Sequence, residues 1–138
     1  MSVEGNKSTI REFTRVFKNQ HNVDGIDHLF ASDFKHNFPA PLPAGLAGLK
    51  GVGRMMNTAF PDVVVTEKDL IATDDTVVER SAAKATNAGP FQGRPASNAP
   101  CHWSEIHIYR MRDGKIAEHW AEVSMLELMM QIGAVKPA

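Results

Sequence analysis

The sequence predicts an α+β fold in which N-terminal helices pack on a curved antiparallel sheet. Three observations carry this. Apolar residues recur at helical spacing as far as Phe60, the period turns extended after Pro61, and two alternating runs flank the turn "RDGK". A run of helices followed by a run of strands, rather than a regular alternation of the two, builds layers of this kind.

The elements follow in order. In "TIREFTRVFKN" (residues 9–19), Ile10, Phe13, Val16 and Phe17 share one helical face, and Thr9 with Glu12 fits a capping box. A second short helix fits "VDGIDHLFASDF" (23–34), with Ile26, Leu29 and Phe30 at helical spacing and Asp24 as its cap. "KHNFPAPLPAGLAG" (35–48) reads as a loop because of its prolines and glycines. A third helix fits "LKGVGRMMNTAF" (49–60), with Val52, Met55, Met56 and Phe60 on a stripe and Pro61 as its stop.

"VVVTEKDLIA" (63–72) and "TVVERSAAKAT" (76–86) read as strands about a turn at Asp74-Asp75. A polar connection (87–100) leads to "CHWSEIHIYRM" (101–111). Its alternation puts His102, Ser104, Ile106, Ile108 and Arg110 on one face and Trp103, Glu105, His107, Tyr109 and Met111 on the other. Asp113-Gly114 is a hairpin turn, and "KIAEHWAEV" (115–123) returns as the partner strand. Strict alternation there groups Ile116, Glu118, Trp120 and Glu122 against Ala117, His119, Ala121 and Val123. "SMLE", starting at Ser124, reads as a capping box for a last helix that Gly133 ends.

Composition narrows the class. With 43% apolar and 22% charged residues, a chain of 138 residues buries a core in one domain (1–138) without a metal or disulfide staple. A net charge of −1, with no basic stripe, argues against a nucleic-acid partner. The single Cys101 rules out an internal disulfide, and Cys101-His102 supplies too few ligands for a zinc site. No apolar run approaches the roughly 20 residues a membrane span needs, and no leader is apparent, so a soluble cytoplasmic protein is expected.

Helices laid across a curved sheet leave an apolar pocket at the deep end, and chemistry is expected there. Glu105 and His107 share a face with Trp103 and Tyr109. Burial would raise the carboxyl pKa and a nearby carboxylate would raise the imidazole's, bringing both toward neutral pH, where proton transfer is efficient. The same residues also fit a polar pair on the wet side of the sheet, and both readings stay open. Glu122 shares strand parity with Trp120 and Ser124, as a pocket acid or as a rim carboxylate in water. His36 reads as a site imidazole or as a surface histidine capping carbonyls. Trp103, Trp120, Ser124, Phe17, Met55 and Phe60 are the expected pocket lining. No G-x-S-x-G elbow surrounds Ser124, which therefore reads as a helix cap and not a nucleophile.

Several strings in order carry a family pattern: "FPD" before the first strand, "GPFQG" in the connection, "RMRDGKIAEHW" at the hairpin, "QIGA" near the end, and "KHNFP" at residue 35. Together they resemble the SnoaL-like polyketide cyclases of the NTF2-like superfamily. The resemblance implies a cone-shaped α+β barrel, a homodimer, and neither cofactor nor metal. The implied reaction is an intramolecular aldol closure of a small hydrophobic carbonyl compound, with a carboxylate as acid and base. That carboxylate stands four residues after the tryptophan and seven before the glutamine, and both counts from Trp120 and Gln131 arrive here at Ser124. "ATN" (85–87) stands where many relatives have Gly-Thr-His, so an imidazole is also missing. Three readings follow. Glu105, His107, Glu122 or His36 does the acid–base work; or the cone runs a hydration, dehydration or isomerisation; or it binds an apolar ligand without catalysis.

Overall fold

The computed structural model describes residues 2–38 and 42–137. Ser2 opens α1 (Val3–Phe13), its Oγ accepting the Gly5 N–H at 2.9 Å. The helix therefore starts earlier than the capping box implied. Thr9 lies inside it and donates to the carbonyls of Gly5 and Gly114, while Glu12 meets His28 at 2.6 Å. Wider π-helical turns follow over Thr14–Asn19, a departure from α geometry that often marks functional sites. They carry Thr14 and Lys18 onto a carboxylate of the sheet, Glu79.

The expected second helix is not formed. One 3-10 turn, Asp27–Leu29, leads into strand β1 (Phe30–Asn37), which buries Phe30 and Phe34. The spacing of Ile26, Leu29 and Phe30 fits a turn followed by a strand as well as a helix, and pairing with a distant strand decides between them. Asp24 caps no helix and instead bonds Lys50 at 3.2 Å. Residues 39–41 of the expected loop lie outside the described residues. The rest of that segment ends β1 and begins α2 (Gly45–Ala59). Gly53 on α2 lies against Phe17, and a Cβ there would meet that ring at 2.4 Å.

Strands β2 (Val64–Ala72), β3 (Thr76–Thr86), β4 (Pro100–Arg112) and β5 (Lys115–Val123) join β1 in one sheet of order β1-β5-β4-β3-β2. The pairings are antiparallel except β1 with β5, which is parallel. Asp113 and Gly114 take φ of 53° and 75°, the left-handed pair that a tight β4–β5 hairpin requires. The β4–β5 register slips once, so that Met111 faces Ile116 while Arg110 faces Glu118. This bulge breaks the strict alternation expected along β5. Ile116 and His119 are both buried, and Trp120 and Glu122 turn away from the core side.

The helices cover one face, and the core has two parts. Phe13, Phe17, Phe30, Phe34 and Tyr109 anchor one; Phe60, Phe91, Trp103 and Leu128 anchor the other. The last helix, α3 (Met125–Gln131), is tied to β4 by the Gln131 amide, which bonds both the N–H and the carbonyl of His102 at 2.7 and 2.8 Å. Ser124 does not form the expected capping box. Its Oγ accepts the Ser104 N–H at 2.9 Å and its own N–H reaches the Ser104 carbonyl, so it extends the β4 ladder by one residue. Among the described residues no helix is long and apolar enough to cross a membrane.

Candidate active site

A cavity of about 140 Å³ opens between the helices and the inner face of the sheet. Its walls are largely apolar, including Phe13, Phe17, Met55, Met56, Phe91 and Trp103. Lys18, His36, Glu105, His107 and His119 bring charge and imidazole nitrogens into this setting.

Register puts the polar groups together. On β4, alternation sends Glu105, His107 and Tyr109 inward in sequence. Across the sheet, Tyr109 faces His119 of β5, and His119 faces His36 of β1. The three rings stack in a row: Tyr109 on His119 at 4.7 Å and 7°, and His119 on His36 at 5.4 Å and 10°. Phe38 extends the row beyond His36 at 5.6 Å.

Hydrogen bonds order the protons. Glu105 Oε1 lies 2.6 Å from His107 Nε2, and two lone pairs cannot approach so closely, so Nε2 carries a proton and donates it. Trp103 Nε1–H donates to the other carboxylate oxygen, Oε2, at 2.7 Å. His107 Nδ1 lies 2.8 Å from His119 Nε2. With His107 neutral, its Nδ1 accepts and His119 Nε2–H donates. His119 Nδ1 is then left with a bare lone pair, buried and without a hydrogen-bond partner.

Burial sets the protonation states. Desolvation holds the His119 imidazole well below its ordinary pKa, and the nearby His107, Lys18 and His36 push the same way. Desolvation also lowers His107, helped by Lys18, and outweighs the raising effect of Glu105. His36 is lowered by burial and by His107. Burial alone would raise Glu105, but the His107 hydrogen bond, the Lys18 charge and the Trp103 donor hold its carboxyl at about 2. Glu79, fully buried on β3, stays below the usual carboxylate range because Lys18, His107 and Thr14 overcome its desolvation. Burial pushes the Tyr109 phenol well above its normal range, so it remains a donor, 3.4 Å from Glu79. The resting cluster thus holds one ammonium, two carboxylates and neutral imidazoles.

The structure brings some of the sequence candidates together and separates others. Glu105, His107, His36, Trp103, Phe17 and Met55 line the cavity. Phe60 lies behind the wall, packed on Trp103 and Phe91 with ring centroids 5.0 and 5.2 Å away. Trp120 and Glu122 border a groove on the opposite face of the sheet, with Ile106, Ile108 and Arg110, because the β5 bulge reverses the expected parity. Ser124 is spent on Ser104 and is not among the cavity residues. Asn87, where an imidazole was expected to be missing, is a buried brace that holds Gly89, Ala59 and Ser97 through both ends of its amide.

Sequence reasoning missed Lys18, Glu79 and His119. Strict alternation from Trp120 as a pocket residue turned His119 outward, and the bulge that brings it inward leaves no local signal. Nothing in the residues around Lys18 and Glu79 sets them apart from the other charged residues of their segments. Among the described residues no group of three or more His, Cys, Asp or Glu side chains is placed to hold a metal ion.

Helices laid over a mostly antiparallel five-stranded sheet, enclosing an apolar cavity, define the NTF2-like α+β fold. The chain belongs to the SnoaL-like polyketide cyclase family, whose model matches residues 8–132. It is similar to the structure of TsrD from Streptomyces laurentii, with 27% identity, a TM-score of 0.88, and coverage of 98% of this chain and 99% of that one. It is also similar to AclR, a hydroxylase candidate from Streptomyces galilaeus (25% identity, TM-score 0.86, 99% and 86% coverage). IdmH, a candidate polyketide cyclase from Streptomyces antibioticus, gives 28% identity, a TM-score of 0.79, and 93% and 98% coverage. No match exists among curated proteins.

Proposed function

We propose that this protein is an acid–base enzyme of the polyketide-cyclase type, acting on a small hydrophobic carbonyl compound and needing only its own side chains. The observation that carries the reading is the chain Glu105–His107–His119, which ends at a residue that lines an apolar cavity and whose buried Nδ1 has no hydrogen-bond partner. The similarity to a candidate cyclase from Streptomyces supports the same class.

The steps balance on this chain alone. His119 Nδ1 takes a proton from the carbon next to a ketone, and the C–H electron pair becomes an enolate. The enolate carbon attacks a second carbonyl of the same molecule and forms a C–C bond. The resulting alkoxide takes the proton back from His119. His107 shares the transient positive charge and Glu105 compensates it, the advantage of a carboxylate behind an imidazole in a dry site. His36 and Tyr109, stacked on the two faces of His119, fix the plane of its ring. The cavity holds the substrate's two reacting ends close together. Ser124, at the family's acid position, takes no part.

The test uses deuterium incorporation into the methyl group of acetophenone in D₂O, followed by proton NMR. The wild-type protein is expected to exceed an equal concentration of imidazole. His119→Gln keeps a donor for His107 but has no base, and is expected to lose on the order of 100-fold or more. Equal exchange by the two proteins would defeat the assignment.

We also propose a homodimer through the outer sheet face. Ile71, Val78, Ile108 and Trp120 form one cross-strand row there, and Val64, Ile71, Ile106 and Ile108 are exposed.

A further inference from the structure

Lys18 has hydrogen-bonding capacity that its neighbours do not use. Its ammonium has three N–H donors. One goes to Glu79 Oε1 at 3.3 Å. Glu105 Oε1, at 3.8 Å, is an ion partner beyond hydrogen-bond reach. His107 Nε2 is only 3.1 Å away, but its proton points to Glu105, so it has no lone pair to offer. The face of Phe13 lies 5.7 Å from the nitrogen and accepts weakly at best. At least one N–H therefore remains unspent, on a side chain only 12% exposed that lines the cavity.

We propose that Lys18 is a catalytic electrophile: its free N–H binds the carbonyl oxygen of the substrate and holds it as an oxyanion while the neighbouring carbon loses its proton. This inference rests on the proton-transfer reading of the cavity and extends it. A base alone makes a poor enolising site, because the charge that develops on oxygen must be met in a medium where water does not help. Lys18 supplies that partner. The ligand class follows. It is a planar molecule that is apolar apart from an enolisable carbonyl or an acidic hydroxyl, and phenols imitate the enol. The atoms balance: the C–H or O–H bond breaks, the N–H bond forms at His119 Nδ1, and the electron pair ends on the oxygen that faces Lys18.

Glu79 then has a definite task. It anchors the ammonium from the far side, itself held by Thr14 Oγ at 2.9 Å and Tyr109 OH at 3.4 Å. The π-helical turns that carry Thr14 and Lys18 place both residues over it.

The probe is 4-nitrophenol, whose absorbance distinguishes phenol from phenolate. Bound to the wild-type protein, its apparent pKa is expected to fall by about one unit or more, the effect of a close opposite charge. Lys18→Met should abolish that fall, and Lys18→Arg should keep part of it. Because Lys18→Met leaves two buried carboxylates without their cation, the double variant Lys18→Met/Glu79→Gln is tested beside it. It keeps the cluster's net charge at the wild-type value, so a lost shift there reports the missing ammonium. An unshifted probe in wild type, or a wild-type shift in the folded double variant, overturns the proposal. Acetophenone exchange separates this inference from the one beneath it. A Lys18-dependent probe shift without any exchange upholds the oxyanion site and sinks the enzyme reading. Unchanged exchange in the double variant sinks the role of Lys18 and leaves His119 as base.

Discussion

His107 Nδ1 and His119 Nε2 lie 2.8 Å apart on neighbouring strands, with their ring planes only 15° from parallel. The register between them pairs His107 with Ala121 and Tyr109 with His119, so this is a diagonal contact across the β4–β5 ladder. It joins a carboxylate on β4 to a bare nitrogen on β5, and the properties of the site follow from that connection.

Glu105→Gln should slow acetophenone exchange by about 10- to 100-fold, a smaller loss than for His119→Gln. The amide oxygen still accepts the His107 proton, but the charge that stabilises a transient imidazolium is gone. The acid limb of the pH profile for exchange should also move to lower pH, because the relay becomes a weaker base. An unchanged acid limb would show that Glu105 is not electrically coupled to His119.

Acid should destabilise the protein in two stages. His107 and His119 are held below 6.5 in the fold, so the unfolded chain binds protons that the folded one refuses, and stability falls as pH drops below 6.5. Glu105 has an ordinary value of 4.5 and a folded value of about 2, so its contribution is present above 4.5 and is lost as pH falls toward 2. That second loss is on the order of 3 kcal/mol. Melting temperatures between pH 7 and pH 3 measure both. The first stage should shrink in His119→Gln; a flat wild-type curve between pH 7 and pH 5 would contradict neutral buried imidazoles.

Ser124→Ala should cost about 1 kcal/mol in urea unfolding, since the Ser104 N–H loses its acceptor, and should leave exchange at the wild-type rate. Ser124→Asp preserves an acceptor and should give no gain in exchange. A gain would place this position in the chemistry after all.

Ile108→Lys should convert a dimer to a monomer in light scattering while exchange persists, because Ile108 lies on the outer face, across the sheet from the cavity. A wild-type protein that scatters as a monomer would end the dimer proposal.

The strands β3, β4 and β5 were legible in the sequence because their signals are local. Alternation sorted Trp103, Glu105, His107 and Tyr109 onto one face of β4, and Asp113-Gly114 named its own turn. Strand β1 was not legible. Its residues carry a spacing that helix and strand share, and the parallel pairing with β5 that settles the matter joins segments more than 80 residues apart. His36 enters the site only through that pairing.

By itself the sequence determined the α+β class and the inward set on β4, since each depends on residue type and near neighbours. Tertiary structure alone decided which imidazole ends as the free base. One extra residue in β5 turned His119 inward and Trp120 outward, and π-helical turns set Lys18 over Glu79. Registers and bulges are chosen by packing between distant segments, and no local pattern of residues records that choice.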